Sequence, residues 1–265
     1  MPELPEVEAV VRKLRSRAEG AFISEVRVLR ARSTHPQHSA LLQSASGRVI
    51  DAIDRRGKNI ILRLSGSLAI RVHLRMTGNL VMLPSHLLHS QTVRVVFALR
   101  DGRGIGFEDP RVLGTVHLHT DSELQEILND LGVEPLSADF TVSFLASHAK
   151  RSHRPVKVFL MEQNVVAGLG NIYAAESLFR ARIHPARLAC GISQKKVKAL
   201  HAAIVEVLTE AMTEAEASYS QPGSHNGMSW RVYGREGKPC VVCGQAIRRL
   251  RQAARSTYYC AVCQK

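Results

Sequence analysis

Long apolar runs are missing from this sequence. Hydrophobic residues make up 45% of its 265 positions, yet no segment approaches the roughly 20 residues that a membrane-spanning helix needs. The acidic opening, MPELPEVE, also lacks the basic and then apolar layout of a secretory signal. These absences argue against membrane insertion and export, so we expect a soluble, cytoplasmic chain, nucleoid-associated if bacterial. Internal repeats and low-complexity tracts are absent too. Acidic residues are few: 23 Asp and Glu stand against 36 Lys and Arg, a formal net charge of +13. Such an excess makes a polyanion the natural partner, nucleic acid before membrane.

Cysteine is scarce, and its five residues are unevenly placed. Four fall at the end of the chain as Cys240-x2-Cys243-x16-Cys260-x2-Cys263. Two short turns that each present a pair of thiolates suit one tetrahedral Zn2+ with no open coordination position, which means a structural metal. The competing reading is a pair of disulfides, which an intracellular chain disfavours. Cys190 is left over and is expected to be a small, partly buried filler.

The length suggests two domains. In Val7, Val10, Val11 and Leu14 the apolar residues fall at i, i+3, i+4 and i+7, so a helix starting at Pro5 buries that face. Apolar runs follow at 26–29, 49–53, 60–64, 68–74, 93–99 and 116–118, separated by Gly, Asp, Ser and Asn turns. Such a series reads as an antiparallel sandwich. In the fourth run Ile70, Val72 and Leu74 face one way and leave Arg71, His73 and Arg75 on the other, as a phosphate-facing or a solvated surface. From Asp121 the period turns helical, with Leu124, Ile127, Leu128 and Leu131 in one segment and Val197, Leu200, Ile204 and Leu208 in a longer one capped by Ser193. Between them, Val166–Tyr173 carries Gly168-Leu169-Gly170-Asn171. Two glycines permit a tight turn, Asn171 can cap the next helix, and a helix start can hold a phosphate oxygen; a plain interhelical turn is the other reading.

MPELPEVE, the Arg55-Arg56-Gly57-Lys58-Asn59 turn, Asp109-Pro110-Arg111, Gly168–Tyr173 and the four-cysteine finger occur in the order seen in formamidopyrimidine-DNA glycosylases, and over the whole chain the sequence resembles that family. The resemblance implies an α+β multidomain protein. Its parts are an N-terminal antiparallel β-sandwich with an N-terminal helix over 1–132, a linker over 133–150, a helix–two-turn–helix domain over 151–229 and a zinc-finger β-hairpin over 230–265. It also implies damaged double-stranded DNA as partner, bound by a monomer.

The odd opening then acquires a chemical meaning beside the bland one, that acids and Pro5 favour a helix start. With Met1 removed, Pro2 is an N-terminal secondary amine, and an α-amino group has a pKa of roughly 7.7–8.0, so much of it is free base near neutrality. It can attack the sugar C1′ and expel a damaged base. The resulting iminium is cationic without further protonation, acidifies the C2′ hydrogen and permits strand cleavage by β/δ-elimination. The resemblance makes Glu3 the general acid and base; Glu6, three residues along, shares its helix face and is expected to orient the terminus by hydrogen bonding. Glu8 is expected at the surface. Lys58 is placed near the lesion and its phosphates, Lys157 and Asn171 on phosphates, and Arg255 on the phosphates flanking the lesion.

Met76, Arg111 and Leu113 are expected to fill the gap left by the everted base, and here the sequence departs from the family. Arg75 replaces a customary glycine, and Arg111-Val112-Leu113 ends in an aliphatic wedge where an aromatic one is usual. Leucine stacks poorly, while aromatic–base stacking is worth on the order of 1–3 kcal/mol. The loop over Ser218–Gly227 is also short, so we expect weak action on 8-oxoguanine and retained action on ring-opened purines, hydantoins or abasic sites. Two other readings stand beside the bifunctional glycosylase and lyase. One is an endonuclease VIII-like enzyme for oxidised pyrimidines, which PELPE disfavours; the other is a non-catalytic zinc-finger DNA-binding protein, which Pro2, Glu3 and Lys58 disfavour.

Overall fold

Helix α1 (Leu4–Ala18) starts one residue ahead of Pro5, which sits comfortably in a first turn because its missing N–H would have no helical partner. The computed structural model to which it belongs describes residues 2–84, 86, 90–218 and 230–265. Val7, Val10, Val11 and Leu14 are each at most 3% exposed, so the apolar stripe is the buried face. Most of the loop argued to be short, from Tyr219 on, lies outside the described residues.

A β-sandwich follows. One antiparallel sheet has the order β1 (Ile23–Val28), β6 (Val93–Leu99), β7 (Arg103–Glu108), β5 (Asn79–Pro84); the other has β2 (Ile50–Arg56), β3 (Asn59–Leu64), β4 (Leu68–His73), β8 (Thr115–Thr120). Helix α1 packs on β2 and β3 of one sheet and on β5 of the other, which pins the amino terminus to both. The sequence pattern did not reveal β5 and β7. β7 reads Arg-Gly-Ile-Gly-Phe-Glu, and glycine weakens a strand signal. A Cβ at Gly106 would lie 2.6 Å from Leu83 Cδ1, so glycine there leaves room for the Leu83 side chain. Short helices fill the connections, α2 (Ser39–Gln43) after β1 and α3 (Asp121–Asn129) after β8. Ile70, Val72 and Leu74 point inward as expected, but Arg71 on the other face is not simply solvated: its Nη2 lies 3.4 Å from His117 Nδ1.

The first compact unit runs through Asp130 and the second begins at Leu131. The stretch expected as a linker, 133–150, is instead part of the second unit's core. It holds α4 (Val142–Lys150), and Phe140, Leu145 and Ala149 pack with Val156, Phe159 and Leu200. An apolar spacing of four residues in so short a helix gives little periodicity to read. Helices α5 (Val156–Leu160), α6 (Asn171–Arg180) and α7 (Gln194–Ser218) follow, and then a two-stranded hairpin, β9 (Arg248–Gln252) with β10 (Arg255–Tyr259). Ser193 caps α7 as expected, its Oγ accepting from the Lys196 N–H at 3.4 Å. The hairpin region is seated on α6. Buried Glu176 accepts the N–H groups of Arg231, Val232 and Tyr233 at 2.8–3.0 Å, and Phe179 packs with Val232 and Ile247. No helix among the described residues is long and apolar enough to cross a membrane.

Candidate active site and nucleic-acid interface

Pro2 is buried at the head of α1. Glu3 is the N-cap and forms a capping box with Glu6, whose Oε2 accepts the Glu3 N–H at 2.8 Å. Both carboxylates are buried, Glu3 at 1% and Glu6 at 0% exposure. The bland helix-start reading and the chemical one therefore describe the same atoms: the box that caps α1 also fixes the peptide that joins Pro2 to Glu3.

Glu8 is not a surface residue. Its carboxylate takes Arg55 Nε at 2.8 Å and Arg12 Nε at 3.1 Å. Burial pushes its pKa up, but the hydrogen bonds and charges of Arg55 and Arg12 outweigh burial and hold it below the usual carboxylate value. Arg55 also donates Nη1 to the Gly57 carbonyl at 3.0 Å. The guanidinium thus ties the helix that carries Pro2 to the hairpin turn that carries Lys58. That turn needs Gly57 at φ +57°, and it holds Lys58 at 8% exposure. His73 sits across the register from Asn59. Burial, with the charges of Arg75, Lys58 and Arg71, pushes its pKa down to about 3. Its Nδ1 accepts the Arg75 N–H at 3.1 Å, so the neutral ring carries its proton on Nε2.

Met76, Arg111 and Leu113 come together at the sandwich surface. Met76 is 44% and Leu113 37% exposed, and Arg111 Nη1 reaches Met76 Sδ at 3.7 Å. Their loops explain the family's glycine: Arg75 has φ +55°, a left-handed conformation that glycine adopts freely. Val112 has φ +52°, which is unusual for a β-branched residue. Fully buried Asp109 joins these loops, a role that sequence reasoning missed although it quoted Asp109-Pro110-Arg111. The available signal was the Asx-turn pattern, an aspartate whose side chain takes the N–H two residues on.

In the second unit Lys157 has no exposed surface, so it does not stand on an open phosphate-facing surface. Its Nζ donates to Asn171 Oδ1 and, at 2.9 Å, to Thr257 Oγ1. Asn171 is the first residue of α6 rather than its cap, which is Gly170. Its Nδ2 donates to the Ser256 carbonyl at 3.1 Å. The helix-linking turn and the finger hairpin are therefore stitched together. Gln163 braces the same turn, accepting the Gly168 N–H at 3.0 Å and donating to the Leu169 carbonyl at 2.8 Å. Arg255 is exposed beside the hairpin tip.

The four finger cysteines bring their Sγ atoms within 4.8 Å of one another. The Cys240–Cys263 and Cys243–Cys260 separations are 3.9 and 3.5 Å. Disulfide sulfurs would be about 2.05 Å apart; the edge of a tetrahedron with Zn–S bonds of about 2.3 Å is about 3.8 Å. The donor set and its spacing fit one structural zinc ion. Cys190 is partly buried, with Sγ 3.6 Å from His153 Nδ1.

Family models match along the chain. Residues 1–116 match the formamidopyrimidine-DNA glycosylase N-terminal domain, 131–222 the formamidopyrimidine-DNA glycosylase H2TH domain, and 237–265 the zinc finger found in FPG and IleRS. The formamidopyrimidine-DNA glycosylase of Geobacter sulfurreducens is 38% identical over 273 residues, covering all of both chains. That of Symbiobacterium thermophilum is 39% identical over 273 residues, all of this chain and 89% of the relative. Among solved structures, the Lactococcus lactis enzyme with FAPY-dG-containing DNA superposes with a TM-score of 0.92 at 29% identity, over 99% of this chain and all of that one. Its complex with abasic-site DNA gives a TM-score of 0.91 at 30% identity, over 99% of each.

Proposed function

The chain belongs to the formamidopyrimidine-DNA glycosylase family, and on that premise we propose that Pro2 is the nucleophile of its base-excision glycosylase and abasic-site lyase activities. The observation that carries this reading is the burial of Pro2 beside the Glu3–Glu6 box at the head of a helix that Arg55 ties to the Lys58 turn. Once Met1 is removed, the Pro2 nitrogen attacks C1′ of the damaged nucleotide. The C1′–base bond breaks, and the departing base takes its proton from an acid, the role assigned to Glu3. The Pro2 nitrogen gives up its own proton on attack, and the C1′–O4′ bond then breaks as O4′ takes a proton. The cationic iminium of the opened sugar withdraws the C2′ electrons, so loss of a C2′ proton expels the 3′ phosphate and a second elimination expels the 5′ phosphate.

Damaged double-stranded DNA is the proposed partner. Lys58 faces the lesion phosphates, and Asn171 and Arg255 hold the flanking backbone. Lys157 acts from behind, by fixing Asn171 and the hairpin. An everted nucleotide needs its backbone gripped on both sides, which supports clamps on separate elements. Met76, Arg111 and Leu113 fill the vacated space. The aliphatic wedge and short loop favour ring-opened purines and abasic sites over 8-oxoguanine; comparable turnover of 8-oxoguanine and formamidopyrimidine duplexes would overturn that preference.

Borohydride trapping on abasic DNA tests the core of the reading. We expect a covalent adduct whose tryptic map places the sugar on Pro2, and its loss in Pro2→Gly. A protein that only binds DNA gives no adduct, and an adduct that survives intact in Pro2→Gly places the nucleophile elsewhere.

A further inference from the structure

Two loops far apart in the chain are fastened to one carboxylate. Asp109 Oδ1 accepts from Thr77 Oγ1 at 2.5 Å, in the loop after β4, and from the Arg111 N–H at 3.2 Å. Its Oδ2 accepts the N–H groups of Leu113 and Gly114 at 2.6 and 2.7 Å. The carbonyl side of the second loop is held as well. Arg94, buried on β6, donates Nε to the Asp109 carbonyl at 2.7 Å, Nη2 to Pro110 at 3.3 Å and Nη1 to Gln91 at 2.8 Å. β6 lies between β1 and β7 in its sheet, so the anchor itself is rigid. A guanidinium with its fork on backbone carbonyls and a carboxylate gathering N–H groups grip opposite sides of one short loop.

The loops need holding. Arg75 and Val112 stand at φ +55° and +52°, conformations that surroundings must impose on residues of these types. Each strained residue directly precedes an exposed apolar side chain, Met76 or Leu113. An aliphatic side chain gains little from stacking on bases. It can keep a base pair open only by steric insertion, and a loop that yields would let the duplex close again.

We propose that Arg94 and Asp109 are positioning residues for base eversion: they lock Met76, Arg111 and Leu113 into one preformed wedge. The proposal rests on the reading of those three side chains as the wedge. It assigns the two anchors to opening the duplex and not to the chemistry at C1′.

The test uses a duplex with a formamidopyrimidine guanine next to 2-aminopurine, whose fluorescence rises on unstacking, and a second duplex with a preformed abasic site. In Arg94→Met and Asp109→Asn we expect stopped-flow unstacking to slow about ten- to a hundredfold, as misplacement of a functional group does. Abasic-site nicking should stay within about twofold of the parent, and Arg94→Lys, which keeps the charge but cannot span three carbonyls with one ammonium, should recover only a small part of the unstacking rate. Thermal melts check folding; if Asp109→Asn does not fold, Arg94→Met and Thr77→Val carry the test. Leu113→Gly serves as the control for the underlying reading. If that variant unstacks DNA normally, the wedge reading fails. If it is slow while the anchor variants are normal, or if the anchor variants lose nicking and unstacking equally, the positioning role alone is overturned.

Discussion

Lys157 Nζ donates to Thr257 Oγ1 at 2.9 Å across 100 residues of chain, and with its bond to Asn171 it joins α5, α6 and the finger hairpin at one buried ammonium. Replacing it with methionine keeps the volume but leaves the Asn171 and Thr257 oxygens without their charged donor. A hydrogen bond to a charged group contributes about 1.5–3 kcal/mol. We therefore expect Lys157→Met to lower the melting temperature and weaken DNA binding together. Arg255→Ala, at an exposed position, should weaken binding at every sequence, reduce the salt slope by about one and leave the melting temperature alone. A Lys157→Met protein that melts normally but binds DNA poorly would return Lys157 to direct phosphate contact.

The half-buried imidazole of His73 gives stability a pH dependence. Its folded-state pKa is about 3 against an ordinary value of 6.5. Between those values the unfolded chain takes up a proton that the native state refuses, so stability falls as pH falls below about 6.5. Above it both states are neutral and the contribution vanishes. Urea melts of the parent and His73→Asn at pH 7.5 and 5.0 should therefore show a smaller acid loss in the variant. An identical loss in both would mean that His73 is protonated in the folded protein.

Strain at the two wedge loops should be measurable. A non-glycine residue held in a sparsely populated backbone region costs of order 1–3 kcal/mol, while glycine adds unfolded-state entropy of about 0.4–1 kcal/mol in the other direction. Arg75→Gly should thus melt at or slightly above the parent temperature, despite removing a large side chain. A drop of several degrees would show that the Arg75 side chain stabilises the loop through contacts that exceed the backbone cost.

Removing the metal tests the finger. Structural zinc sites contribute folding free energy directly, and this one shares a small core with Phe179, Val232 and Ile247. Chelation, or Cys260→Ser, should unfold the hairpin and abolish DNA binding, with one zinc per chain measured by elemental analysis of the parent. Binding that survives with no zinc would separate the finger from the DNA-binding surface.

Much of this architecture was legible in the sequence because the relevant signals are local. The stripe of Val7, Val10, Val11 and Leu14, the paired cysteine knuckles and the Gly57-Lys58 turn each depend on neighbours within a few positions. What stayed hidden depends on partners far along the chain. Gly104 and Gly106 weaken β7 as a pattern, yet Gly106 leaves space that Leu83 on another strand fills. Asp109 looks like one more turn aspartate until Thr77 approaches it, and Arg94 looks like a solvated strand residue until the loop closes over it. The resemblance assigns Lys157 to phosphates, but its bond to Thr257, 100 residues away, is not visible in sequence.

The same contrast governs Glu8, whose partner Arg55 lies 47 residues away. Arg55 is 12% and Glu8 16% exposed, so the pair is poorly screened. The depressed carboxylate means that its contribution is present above the ordinary pKa of about 4.5 and is lost as pH falls below it. Because Arg55 also holds the Gly57 carbonyl, Glu8→Gln should loosen the register between α1 and the Lys58 turn more than it loosens the fold. We expect iminium trapping on abasic DNA to slow about tenfold or more in a protein that still folds, with a melting-temperature loss worth about 1.5–3 kcal/mol, the value of a hydrogen bond to a charged group. Arg55→Lys keeps the charge but cannot span both acceptors with a planar fork, and should slow trapping similarly. Trapping at the parental rate in both variants would mean that Pro2 and Lys58 are placed independently, each by its own element.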